Sequence, residues 1–168
     1  MGAVKYKGRI ISLVTAQRRL PNGIKTKLEI VLHPGAVLII PFLNPQQIIF
    51  IRQYRPVIKQ YLLELPAGTL KSQENPLFCA KRELSEETGY GAKKFTKIGR
   101  IFPVPGYSTE IITIYKAERL MPHPAQQDHD EMIDICPLHK NQIKKLFKAG
   151  KIIDAKTICA LSLSGLLS

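Results

Sequence analysis

The 168-residue sequence has no tryptophan, three cysteines and about half as many acidic as basic side chains, 13 against 25. Cys79, Cys136 and Cys159 are far apart and odd in number, which excludes a complete disulfide framework and any CxxC pair. A reducing cytoplasm is the expected setting. Long apolar runs are missing too. The longest, Ala36 to Leu43, is broken by Pro41 and is far too short to cross a bilayer. The opening Met1-Gly2-Ala3-Val4-Lys5-Tyr6 lacks the apolar core of a signal peptide, and Tyr6 stands where a myristoylation motif carries Ser or Thr. The expectation is a soluble, cytoplasmic protein without a membrane partner.

What is present suits one compact domain: 45% of the residues are hydrophobic, enough for a core at this length. The N-terminal third reads as strands, Val4 to Thr15 and Lys25 to Leu32, joined by a turn at Leu20-Pro21-Asn22-Gly23. His33-Pro34-Gly35 interrupts the pattern. It divides a small N-terminal antiparallel sheet, residues 1–34, from a main domain of residues 35–168. Beyond it come expected strands at Ala36 to Leu43, Ile48 to Tyr54 and Tyr61 to Glu64. Asn75 to Thr88 has no internal Gly or Pro beyond its first turn, and Gly89 sits where helices stop, so this segment is the helix the sequence marks most clearly. Strands at Lys97 to Phe102, Glu110 to Glu118 and Ile133 to Cys136 follow, then two helices from His139 and Asp154. This order of elements predicts an α/β (α+β) sandwich built on a mixed sheet.

The excess of basic side chains gives a net charge of +12. Lys140, Lys144, Lys145, Lys148 and Lys151 fall on the polar side of the first C-terminal helix, with Ile143, Leu146 and Phe147 opposite. They read first as a solvated face, and as a polyanion-binding surface in the alternative. Nucleic acid is therefore not the expected partner, although the charge leaves it open. A positive field also draws in small phosphate substrates.

Within the acidic helix, Glu83, Glu86 and Glu87 are spaced by three and four residues and so share one face. Clustered carboxylates repel one another unless something positive joins them, and a hard divalent cation takes such oxygens. A glutamate-rich solvated helix would look the same in isolation. The approach to it would not: Glu64-Leu65-Pro66-Ala67-Gly68 is apolar and constrained, and its glycine lets backbone come close to a neighbour.

The spacing Gly68-x5-Glu74-x7-Arg82-Glu83-Leu84-x-Glu86-Glu87-x-Gly89 resembles the box of the Nudix hydrolases, GX5EX7REUXEEXGU, at every fixed position; Tyr90 departs from the final aliphatic place. Gly8-Arg9-Ile10-Ile11, His33-Pro34-Gly35-Ala36-Val37, Arg52-Gln53-Tyr54-Arg55, the Glu64 to Gly68 segment and Pro105 to Glu110 are similar to the ADP-ribose pyrophosphatase branch, as is Pro105 by its distance from Gly89.

This resemblance implies a Nudix-like α/β/α sandwich and Mg²⁺-dependent cleavage of ADP-ribose, or a related nucleoside diphosphate sugar, to AMP and ribose 5-phosphate, with Mn²⁺ as a possible substitute. GDP-mannose or another nucleotide sugar is the alternative substrate, and a non-catalytic nucleic-acid-binding module is the alternative of another class. The implied metal ligands are Glu83, Glu86, Glu87 and the carbonyl of Ala67, with Glu74 and Arg82 as a structural ion pair. Glu131 is the favoured base among Asp128, Asp130 and Glu131, and Glu86 the other catalytic candidate. Arg52, Arg55, Glu64 and Glu110 are the implied substrate-binding residues. Similar enzymes pair through their N-terminal strands, which implies a homodimer.

Overall fold

The protein is described as a computed structural model, covering residues 2–125 and 132–167. Its first three strands, β1 (Ala3–Lys7), β2 (Ser12–Arg19) and β3 (Lys25–Leu32), form an antiparallel sheet of their own. The strand expected from Val4 to Thr15 is thus two strands. Gly8 to Ile11 turn the chain back, the Gly8 N–H donating to the Ile11 carbonyl at 2.9 Å, and Lys7 comes opposite Ser12. The second turn is where Asn22-Gly23 places it, with Gly23 at φ 85°. Little of this sheet is covered. Val14 and Ala16 are buried, whereas Val4, Tyr6, Ile24 and Leu28 are exposed.

The main sheet has seven strands. Five of them, β4 (Ala36–Asn44), β5 (Gln47–Arg55), β8 (Tyr90–Ile101), β9 (Ile112–Pro122) and β10 (Ile133–His139), run in the order β10-β5-β4-β9-β8. Two short strands, β6 (Gln60–Glu64) and β7 (Ala67–Thr69), pair with β5 and β4. Only β4 and β9 are parallel among these pairs, so the sheet is mixed, as expected.

The continuous apolar run of β4 follows from its central place, since both of its faces are covered. Val37 and Ile39 point to one side and pack with Cys79, Ala80 and Leu84 of helix α1 (Pro76–Thr88). Leu38 and Ile40 point to the other and join Ile143 of α2 (Lys140–Lys148) and Ala160 and Leu161 of α3 (Ala155–Leu163). Alternation of period two thus feeds both layers of the α/β/α sandwich. Each fully buried Ile or Leu contributes about 1.5–3 kcal/mol.

Helix α1 starts and stops where the sequence places it. The Asn75 side chain caps it by accepting from the Leu77 N–H at 2.8 Å, Pro76 fills the first turn, and Gly89 ends it at φ 70°. The following strand differs from expectation. β8 begins at Tyr90 and not at Lys97, because it forms a long hairpin with β9 that aligns Tyr90 with Pro122.

The N-terminal sheet is tied to the main domain through β3. The Val31 N–H donates to the Tyr107 carbonyl at 2.7 Å, and the Val31 carbonyl accepts from Thr109 at 3.0 Å. The segment carrying Glu110 is thereby held beside His33, whose Nδ1 lies 4.0 Å from the Glu110 carboxylate.

Candidate active site

The acidic helix and the loop before it meet through backbone. Glu87 is buried, and its Oε2 accepts the Ala67 N–H at 2.9 Å. A Cβ built on Gly68 would overlap the carboxyl group of Glu83 as it stands, so the glycine leaves the space in which that carboxylate lies against the loop. The loop glycine and the helix glutamate, fifteen residues apart by their numbers, thus specify one contact.

Arg82 partly offsets the charge of the cluster. Its Nε and Nη2 each donate to Glu74 at 3.0 Å, while Nη1 reaches Glu83 Oε1 at 2.6 Å and Glu86 Oε2 at 2.8 Å. The expected Glu74–Arg82 ion pair is therefore present, and Arg82 also spans two of the three box carboxylates. The hydrogen bond from Arg82 holds the Glu74 carboxyl at about 2, and Glu74 in turn raises the guanidinium. Cys79 lies beneath this network. Burial, followed by the charge of Glu83, pushes its thiol up to about 12, which leaves it protonated and unreactive at neutral pH.

A second ionic network sits at the other end of the loop. Glu64 is fully buried and receives Nε and Nη2 of Arg55 at 2.7 and 2.6 Å, together with the ammonium of Lys156. Burial alone would raise the Glu64 carboxyl, but hydrogen bonding and charge from Arg55 and Lys156 bring it below its ordinary value. Lys156 also contacts Asp154 at 2.9 Å. Asp154 caps α3 by accepting from the backbone and hydroxyl of Thr157 at 3.0 and 2.6 Å. The same hydroxyl oxygen accepts the Leu65 N–H at 2.9 Å, so the first turn of α3 clasps the start of the loop.

Two cavities flank this second network. One, about 300 Å³, is lined by Ala67, Gly68, Thr69 and Glu110, and the other, about 710 Å³, by Arg9, Gln53, Tyr54 and Val57; Arg55 and Lys156 belong to both. Glu86 faces a third space, about 480 Å³, shared with Arg82, Ser85 and His123.

Of the expected substrate-binding residues, Arg55, Glu64 and Glu110 come together here. Arg52 is set apart. It is exposed on β5, 3.3 Å from Asp134 and over the ring of Tyr61 at 4.1 Å, and it lines neither flanking cavity. Asp128, Asp130 and Glu131, among which the base was sought, lie outside the described residues. Sequence reading did not connect Asp154, Lys156 and Thr157 with the site. Their only local signal is Asp154 at a helix start, which indicates a cap and not a site residue.

Among the described residues no three His, Cys, Asp or Glu side chains are already gathered as a metal cluster. The donors are nevertheless of the right kind for a hard cation, and Gly68 provides a cradle that one of them fills.

The model of the NUDIX domain matches residues 32–160. An ADP-ribose pyrophosphatase of Bacillus subtilis (strain 168) is 37% identical over 158 residues, 93% of this chain and 85% of that protein. A methanol dehydrogenase activator of Bacillus methanolicus matches with the same identity and the same coverage. A solved structure described as an ADP compounds hydrolase superposes with a TM-score of 0.83 over 97% of this chain and 89% of that one; at 24% identity this likeness concerns the fold. By the domain match and these relatives, the chain belongs to the Nudix hydrolase family, enzymes that act as pyrophosphohydrolases on nucleoside diphosphate compounds.

Proposed function

We propose that the protein hydrolyses ADP-ribose, or a closely related nucleoside diphosphate sugar, to AMP and ribose 5-phosphate. The observation that carries this reading is the position of Arg55 and Lys156 between two cavities, one of which reaches the glycine loop and Glu110. A pyrophosphate flanked by two bulky halves needs cations between two spaces, and guanidinium suits phosphate oxygens. The resemblance to ADP-ribose pyrophosphatases outside the box supports the same choice. Relatives of equal identity carry different names, so similarity alone does not select the substrate.

Glu83, Glu86, Glu87 and the Ala67 carbonyl are the groups that would hold Mg²⁺, or Mn²⁺ in its place. When bound, the metal supplies charge neutralisation of the pyrophosphate and a lowered pKa for water. The chain's own residues position the substrate. Arg55, oriented by the buried Glu64, presents its remaining edge to the cavities, and Glu110 shapes the wall nearest the loop. Glu131 is the proposed base, with Asp128 and Asp130 as the other candidates. The exposed apolar side chains of the N-terminal sheet, Val4, Tyr6, Ile24 and Leu28 among them, support pairing of residues 1–34 with a second copy.

A panel of ADP-ribose, GDP-mannose and other nucleotide sugars with Mg²⁺, with products identified, tests the substrate. Glu87→Gln should lower kcat on the best substrate by at least about 100-fold, in line with the several kcal/mol that a metal contributes to charge stabilisation. Equal turnover by wild type and mutant would remove Glu87 from the metal site. RNA binding with a steep salt dependence and no turnover of any pyrophosphate would instead favour a binding module.

A further inference from the structure

Gln53 is an anomaly in an otherwise satisfied core. It lies on β5, is only 5% exposed, and its Oε1 is buried with no hydrogen-bond partner among the described residues. A buried amide oxygen without a donor is destabilising, and folded proteins rarely leave one so. Gln53 is one of the residues lining the cavity of about 710 Å³, with Arg55 and Lys156, and its oxygen lies just beneath that wall.

The two cations have hydrogen-bonding capacity to spare. Arg55 uses Nε and Nη2 on Glu64, and Nη1 makes no hydrogen bond or ion pair among the described residues. Lys156 has three N–H donors and meets two carboxylates, Glu64 and Asp154. The four charges cancel as two cations and two anions, and both anions line the larger cavity, so loss of either cation leaves a net negative charge there.

We propose that Gln53, Arg55 and Lys156 form one substrate anchor. Lys156 and Arg55 take a phosphate oxygen at the junction of the cavities, and Gln53 accepts an N–H or O–H from the group attached to that phosphate. The ligand class is an organic phosphate with a hydrogen-bond donor a few atoms from the phosphorus, as a nucleoside has in its ribose hydroxyls and base amines. The inference rests on the hydrolase reading above and adds two residues to it, one of them on the last helix.

The two interactions separate with two probes, inorganic pyrophosphate, which has phosphates but no such donor, and ADP-ribose, which has both. For Lys156→Met, the KM for ADP-ribose and the Kd for pyrophosphate should each rise on the order of tenfold, the cost of a lost hydrogen bond to a charged group, with kcat within about twofold. Lys156→Arg should restore most of both. For Gln53→Met, which keeps the volume and removes the orphan oxygen, KM should rise on the order of fivefold with pyrophosphate binding unchanged, and the melting temperature should increase. Unchanged KM and unchanged pyrophosphate affinity in Lys156→Met would overturn the assignment. So would a loss in Lys156→Arg equal to that in Lys156→Met, or a Gln53→Met enzyme with wild-type KM. If the wild type turns over no nucleoside diphosphate compound, the hydrolase reading fails, and pyrophosphate binding by the Lys156 variants still decides the anchor.

Discussion

Arg82 offsets part of the charge of the box: one guanidinium meets Glu74, Glu83 and Glu86, and a net negative charge remains. Without it, three glutamates on one helical face would oppose one another, so the arginine is as much a condition of the cluster as the glutamates are. Its pairing with Glu74 has a pH signature. The folded carboxyl lies at about 2, below its ordinary 4.5, so its stabilising contribution is complete above 4.5 and is lost as the pH falls towards 2. Glu74→Gln should therefore be less stable than wild type in urea at pH 7, and the two curves should converge between pH 4.5 and 2. A stability difference that persisted undiminished to pH 2 would mean that shape, not charge, is what Glu74 provides.

Elements were legible where their signals are local. Asn75-Pro76 and Gly89 mark both ends of α1, and the buried run of β4 announces a strand covered on both faces. Strand β7 has three residues inside a loop that reads as constrained and apolar, and its pairing with β4 depends on partners distant in sequence. The early start of β8 is equally a matter of its hairpin partner, since Gly91 and Ala92 carry no strand preference. The site divides in the same way. Helix geometry alone puts Glu83, Glu86 and Glu87 on one face, and the box was readable as a site because its full spacing from Gly68 to Gly89 resembles that of the Nudix hydrolases, whereas Lys156 meets Glu64 across 92 positions and nothing in either neighbourhood names the other. Capping tests the weight of that distant contact. Asn75→Ala removes one cap bond from α1 and should cost about 1 kcal/mol. Asp154→Ala removes bonds to Thr157 and one of the two carboxylate partners of Lys156, so urea denaturation should show a loss of about 2 kcal/mol or more. Equal losses would mean that α3 is capped like any other helix and carries no added role in holding the loop.

At the scale of the molecule, a well-covered domain carries a poorly covered sheet. The central strands of the main sheet are buried on both faces, while the N-terminal sheet keeps only Val14 and Ala16 inside and meets the domain chiefly through Val31 and the Tyr107 to Thr109 segment. A three-stranded sheet with apolar side chains in water is marginal by itself, and association with a second copy would cover them. The larger cavity strengthens the connection with function, because Arg9 and Ile10, from the turn between β1 and β2, line it together with Val57, which is 93% exposed. On the proposed pairing, the full chain should sediment as a dimer and the chain without residues 1–34 as a monomer, with a raised KM for the nucleotide substrate because one wall of that cavity leaves with them. The catalytic domain should remain folded, since both of its core clusters lie entirely beyond residue 34. A truncated protein that still sediments as a dimer would place the interface on the main domain, and one with wild-type KM would mean that the N-terminal sheet contributes nothing to the substrate.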